Sequence, residues 1–171
     1  TWWWETENRP STGSGVAKSD NLQDFPPWNM LLPIRQKFDL YINLRPIKLL
    51  PGINGPLRDR TPEQIDFVCI RENTEGEYCG VGGRLRVGTP DEVVMQTAIF
   101  TRKGTERVVR YAFDLAMTRE RKHVTSATKS NGIIHTMPYW DERFAEMSKS
   151  YPDVKTAQFH IDILCAHFVQ H

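Results

Sequence analysis

The sequence is short of cysteine. Cys69, Cys79 and Cys165 are the whole complement in 171 residues, an odd number with no CxxC spacing. That argues against a disulfide framework or a thiolate zinc knuckle and for a reducing compartment. A surplus of either charge is missing too, with 22 basic residues against 21 acidic ones. The summed field therefore gives no reason to expect nucleic acid or an anionic membrane as partner. No run is apolar and long enough to span a bilayer, and no basic-then-apolar leader opens the chain. There is no internal repeat. The expectation at this level is a soluble, cytoplasmic, mixed α/β protein, one domain by length, large enough to bury a core.

Residues 1–24, TWWWETENRPSTGSGVAKSDNLQD, carry neither a helical nor a strand period. Adjacent tryptophans and then a Ser/Gly/Pro-rich stretch read as an irregular tail, or as sequence foreign to the rest of the chain. Regular patterning begins after Pro26-Pro27. NMLLPIRQKF suits a short helix, and DLYINLR a strand that stops at Pro46. IKLLPG is a second short run closed by Pro51-Gly52. IDFVCI, 65–70, is a continuous apolar run that suits a strand covered on both faces. EVVMQTAIF, 92–100, alternates as a further strand. Thr101 is placed to cap a helix through Met117, in which Val108, Val109, Ala112, Phe113 and Ala116 form one apolar stripe. KHVTSATK reads as a strand, MPYWDERFAEMSKSYP as a helix opening after Pro138, DVKTAQFHI as a strand, and DILCAHFVQH as a final helix. This alternation predicts crossover units around a largely parallel or mixed sheet.

Polar residues of unusual kind sit where these strands end. Arg45 closes DLYINLR, Arg71 closes IDFVCI, Lys129 closes HVTSATK and Asp162 closes AQFHI. Ligands of open α/β sheets gather at such ends. The guanidinium fork of arginine matches a carboxylate bidentately. A lysine and a tyrosine suit proton transfer, and an aspartate is a hard oxygen ligand for a divalent cation. The bland alternative is four unconnected strand-end charges facing solvent, and the pattern alone leaves both open.

NLRPIKLLPG at 43–52, RENTEGEY at 71–78, YAFDLA at 111–116, RKHVTSATKSNG at 121–132 and MPYWDERF at 137–144 resemble the β-decarboxylating dehydrogenases, the isopropylmalate, isocitrate and tartrate/D-malate enzymes. TSATKSN and then YWDE, with HIDIL later, is closest to the tartrate/D-malate branch. The match runs from about Leu31 to the end. The resemblance implies an α/β, isopropylmalate-dehydrogenase-like fold, with a mixed sheet and flanking helices, incomplete at both ends. On that reading residues 1–24 are an unmatched tail and 25–171 the central part of the domain.

The resemblance also implies a function: NAD-dependent, Mg²⁺- or Mn²⁺-dependent oxidation, with or without decarboxylation, of a 2-hydroxy dicarboxylate such as tartrate or D-malate. Arg45 and Arg71 resemble the arginines that grip the substrate's carboxylates. Tyr78 resembles the general acid that reprotonates the enol, and Lys129 the lysine that takes the hydroxyl proton. Asn131 resembles a residue near the nicotinamide ribose, and Asp162 the metal-ligating aspartate lent to a neighbouring subunit in a homodimer. A third carboxylate-binding arginine of the family falls near INGPLRDR, as Arg58, Arg60 or neither. The segment that supplies two more metal acids and the adenine loop is not in this chain, and GVGGR does not replace it. The alternative function is therefore a non-catalytic dimerisation fragment that associates with a full-length subunit.

Other candidates carry less. Cys165, His167 and His171 have a spacing that could hold zinc, but histidines at a chain end read more simply as surface residues. Arg102, Lys103, Arg107 and Arg110 form a basic helical face expected to be solvated. Cys79 adjoins Tyr78. Ile163, Leu164, Phe168 and Val169 leave the last helix with apolar surface and little sequence to bury it, which predicts a dimer or an aggregate.

Overall fold

The core is organised by one helix. In the computed structural model, which describes residues 28–53, 55, 57 and 60–170, α2 spans Arg102–Met117. Thr101 caps it as its position suggests, its hydroxyl accepting from the Gly104 amide at 3.0 Å. Val108, Val109, Phe113 and Ala116 are buried along its inner stripe, and Phe113 is fully enclosed. Phe113 packs against Phe144 at 5.4 Å and stacks on Tyr151 at 5.0 Å between ring centroids. Truncating such a ring to alanine costs about 3–5 kcal/mol. The opposing surface comes from α3, Thr136–Ser148, with Met147 and Val154 buried beside it and Ile42, Ile70 and Val124 packed against the cluster. That helix opens at Thr136, two residues ahead of Pro138, because proline is tolerated within a first turn.

The remaining elements are α1 (Trp28–Lys37), β1 (Ile42–Lys48), β2 (Asp66–Glu72), β3 (Gly76–Leu85), β4 (Val93–Ile99), β5 (His123–Thr128), β6 (Lys155–His160) and α4 (Ile161–Gln170). Helices and strands are mixed as the fold class requires. The strands pair, among the described residues, as three two-stranded sheets, β1–β2 and β3–β4 antiparallel and β5–β6 parallel. A parallel crossover thus occurs only through α3, where the connection is long enough to carry a helix.

Several local expectations give way to this pairing. The first strand does not stop at Pro46. It runs on to Lys48 and absorbs the start of IKLLPG, with Pro46 opposite Val68. A strand paired on one side only can hold a proline without losing a ladder bond. IDFVCI is not covered on both faces, since Phe67 and Cys69 are exposed while Ile70 packs inward. Phe67 is met from outside by Phe168 of α4, ring centroids 5.3 Å apart. The glycine-rich stretch GEYCGVGGRL is strand β3, which sequence periodicity did not suggest. Gly76 and Gly80 adopt φ values of +68° and +73° around a register shift, and a side chain at Gly82 would strike the Met95 carbonyl. Glycine there admits the bulge and the close approach of β4.

Candidate active site

Register decides which side chains meet. In β1–β2, Asn43 lies opposite Arg71, and Arg45 opposite Cys69. Paired residues of an antiparallel ladder project from the same face. Asn43, Arg45, Cys69 and Arg71 therefore mark the corners of one patch, with the arginines on a diagonal. Ile42 and Ile70 alternate to the opposite face and into the core, which is why the arginines point away from it. Arg45 does not close its strand, as the sequence suggested, but sits in its middle; Arg71 is the penultimate residue of β2. Antiparallel pairing sets the middle of β1 close to the end of β2, so strand-end placement was not needed to bring them together.

Arg45 Nε donates to Asn43 Oδ1 at 3.3 Å. The Arg71 guanidinium carbon lies 4.7 Å from the centroid of the Tyr78 ring, a cation–π contact. Tyr78 is 42% exposed, so the residue is open to solvent beside Arg71.

The turn from Arg71 to Tyr78 is built by its own polar residues. Glu72 accepts from the Thr74 amide at 2.8 Å, the Thr74 hydroxyl at 2.7 Å and the Glu75 amide at 2.7 Å. Asn73 is buried and donates to the Leu40 carbonyl at 3.0 Å. The Glu75 carboxylate takes the Thr101 amide at 2.9 Å and hydroxyl at 2.5 Å, at the start of α2, where the helix dipole favours an anion. Arg107 reaches in from α2, donating to Thr74 Oγ1 at 2.9 Å and Asp39 Oδ2 at 2.6 Å and lying 4.3 Å from the Tyr41 ring centroid. This corrects the solvated basic face: Arg107 is largely buried, whereas Arg102 and Lys103 remain exposed. Its hydrogen bond, above all, holds the Asp39 carboxyl below the usual carboxylate range. Sequence reasoning missed Arg107, Glu72 and Glu75 as site-building residues, because their roles depend on contacts that only the folded turn and α2 create.

Lys129 comes directly after β5, and its carbonyl accepts from the Gly132 and Ile133 amides at 3.0 and 2.9 Å. Asn131 is exposed on that turn. Lys129 Nζ is in an ion pair with Asp162, which lies in the first turn of α4 and not at the end of a strand. Among the described residues, no hydrogen bond or ion pair joins this pair to Arg45, Arg71 or Tyr78. The candidate residues thus fall into two groups, one on β1–β3 and one where β5 and β6 end. Beside the second group is a cavity of about 450 Å³ lined by Thr128, Ser130, Asp141, Gln158, His160 and Ile163 among others.

The fit of a divalent cation is poor on these residues alone. No cluster of three acid, histidine or cysteine side chains could hold a metal among the described residues, and the one candidate acid, Asp162, is engaged by Lys129. A lone carboxylate leaves most of a Mg²⁺ or Mn²⁺ shell to water. The zinc spacing gains nothing either. Cys165 is exposed, the His167 ring meets Phe159 at 5.2 Å, and His171 lies outside the described residues, as do Arg58 and the tail over 1–24. Arg60 is half-buried. No helix among the described residues is long and apolar enough to cross a membrane.

Comparison with known proteins gives concordant likenesses. A family model described as isocitrate/isopropylmalate dehydrogenase matches residues 13–171. The chain is 55% identical over 142 residues to D-malate dehydrogenase [decarboxylating] of Escherichia coli strain K12, covering 83% of this chain and 39% of that protein. The same identity and coverage hold for tartrate dehydrogenase/decarboxylase of Pseudomonas putida. Isocitrate dehydrogenase from Methylococcus capsulatus matches in structure with a TM-score of 0.73 at 30% identity, over 95% of this chain and 43% of that one. The chain spans about two fifths of the length of the curated relatives it matches.

Proposed function

The chain belongs to the isocitrate/isopropylmalate dehydrogenase family, and from that premise we propose that it carries the substrate-gripping and proton-transferring part of a tartrate/D-malate-type dehydrogenase. The reaction is the oxidation of a 2-hydroxy dicarboxylate, with or without decarboxylation, and NAD and Mg²⁺ or Mn²⁺ are its cofactors. The described residues do not by themselves form a cation site.

One observation carries the reading: Arg45 and Arg71 project diagonally from one face, with Tyr78 against Arg71. Each guanidinium can take one carboxylate of a small diacid. A tyrosine hydroxyl can return a proton to carbon. Lys129, as the neutral amine, would take the hydroxyl proton at Nζ, and Asp162 is placed to pair with the ammonium that results. Among the described residues no hydrogen bond or ion pair joins the two groups, and in the proposed homodimer Lys129 and Asp162 would serve the partner's arginines.

The test is a calorimetric titration of the purified chain with tartrate and D-malate, against acetate as a monoacid. Arg45→Ala and Arg71→Ala should each weaken diacid binding at least about tenfold. A diacid that binds no better than acetate, or arginine variants that bind normally, would sink the grip. Turnover assays with tartrate, D-malate and isopropylmalate, each with NAD and Mn²⁺, then ask whether this chain alone is active.

A second reading is favoured by a different observation. Ile163, Phe168 and Val169 on α4 are 54%, 48% and 65% exposed. Such surface supports a non-catalytic fragment that associates with a full-length subunit. Light scattering coupled to size exclusion, on the chain alone and mixed with a full-length relative, distinguishes the two. A self-dimer supports the first reading and a mixed complex the second, while a stable monomer in both runs contradicts them together.

A further inference from the structure

The patch that bears the arginines has a corner with no assigned role. Asn43 stands directly across from Arg71 and two residues before Arg45 on the same face of β1. Its carboxamide oxygen accepts from Arg45 Nε at 3.3 Å. An arginine Nε can only donate, so the oxygen, and not the amide nitrogen, must be the atom that faces it.

We propose that Asn43 is a positioning residue that orients the Arg45 guanidinium for a diacid shared with Arg71. The inference rests on the reading of these arginines as the carboxylate grip. Tying Nε to the strand's own side chain occupies one edge of the guanidinium. The two terminal nitrogens are then left as the fork presented to a ligand, the geometry that takes a carboxylate bidentately. It also restricts a long, freely rotating side chain before ligand arrives, which lowers the ordering cost of binding.

The choice of asparagine has an electrostatic reason. An aspartate here would accept the same hydrogen bond but would neutralise Arg45 and compete with the incoming carboxylate. An alanine would leave the guanidinium unneutralised but unanchored. Asparagine supplies an acceptor without a charge, and its position opposite Arg71 matters equally, because a negative charge there would face both arginines at once.

The experiment is a double-mutant cycle on the full 171-residue chain, read by D-malate affinity and by the Arg45 Nε–H resonance in ¹⁵N spectra. Asn43 is on an outward face, and its variants should fold. Asn43→Ala should weaken D-malate binding about three- to tenfold and shift the Arg45 Nε–H signal; Asn43→Asp should weaken binding further. In an Arg45→Ala background, Asn43→Ala should cost nothing more, whereas in an Arg71→Ala background it should cost as much as in the wild type. Unchanged affinity and an unchanged Nε–H signal in Asn43→Ala would overturn the proposal while leaving the arginine grip intact. An equal loss in the Arg45→Ala background would also overturn it, because Asn43 would then act on its own. Failure of the wild-type chain to bind D-malate at all would instead remove the grip, and the positioning role with it.

Discussion

Arg107 and Asp39 lie 68 residues apart in sequence and 2.6 Å apart in space. The same guanidinium donates to Thr74 at 2.9 Å. One side chain of α2 therefore ties the approach to β1 to the turn after β2, the two segments that flank the arginine patch. Arg107→Ala should lower stability by about 1–2 kcal/mol, most of it from the largely buried side of the network. Arg107→Lys should recover only part, since an ammonium cannot span both acceptors and stack on Tyr41 as a planar fork does. Thermal melts give the stability. Hydrogen exchange at the Thr74 and Glu75 amides should quicken in both variants.

Acid should weaken the fold through the same contact. Asp39 is held low chiefly by its hydrogen bond to Arg107, and Asp66 chiefly by its bond to Arg119. A carboxyl with a depressed folded pKa binds fewer protons folded than unfolded. Its stabilisation is present above the unfolded pKa and is lost as pH falls through the lowered folded value. Unfolding midpoints should hold steady from neutrality to about pH 4 and decline below it. Asp39→Asn and Asp66→Asn should each flatten that decline, and a variant with an unchanged acid limb would contradict the assignment.

Gly104 offers a sharper steric test. A methyl group there would overlap the Glu75 carboxyl group that accepts from Thr101. By intrinsic propensity alone, Gly104→Ala inside a helix should stabilise by about 1 kcal/mol. We expect the opposite, a loss of roughly 1–3 kcal/mol, because the carboxylate must leave the helix start. Adding Glu75→Ala should then restore part of that loss, a non-additivity visible in paired urea melts.

Tyr78 should separate binding from chemistry. Tyr78→Phe keeps the ring over which Arg71 lies, so tartrate affinity should change by less than about threefold. The proton-donating hydroxyl is gone, and any turnover the chain supports should fall by about 10²–10⁴. Tyr78→Ala should lose affinity as well. Equal binding by the alanine variant would mean that the ring does not hold Arg71.

Much of this protein was legible along the chain. Thr101, with the apolar stripe at Val108, Val109, Phe113 and Ala116 after it, specifies α2 and its start. The patterns of β4, β5 and β6 likewise depend on neighbours a few residues away, and Lys129 does sit where β5 ends. Hydrogen-bonding period and capping are local, so a local reading finds them. The tertiary structure decided what depends on a partner elsewhere. β3 is nearly all exposed, and its glycines give it no strand pattern of their own; it is a strand because β4 lies beside it. Arg107 reads as one more cation on a basic face until Asp39 and Thr74 meet it. The arginine patch is the clearest case. The sequence contains both arginines, but only the antiparallel register, Asn43 with Arg71 and Arg45 with Cys69, turns them to the same side. A shift of one residue in that pairing would send them to opposite faces, because side chains alternate along a strand with period two.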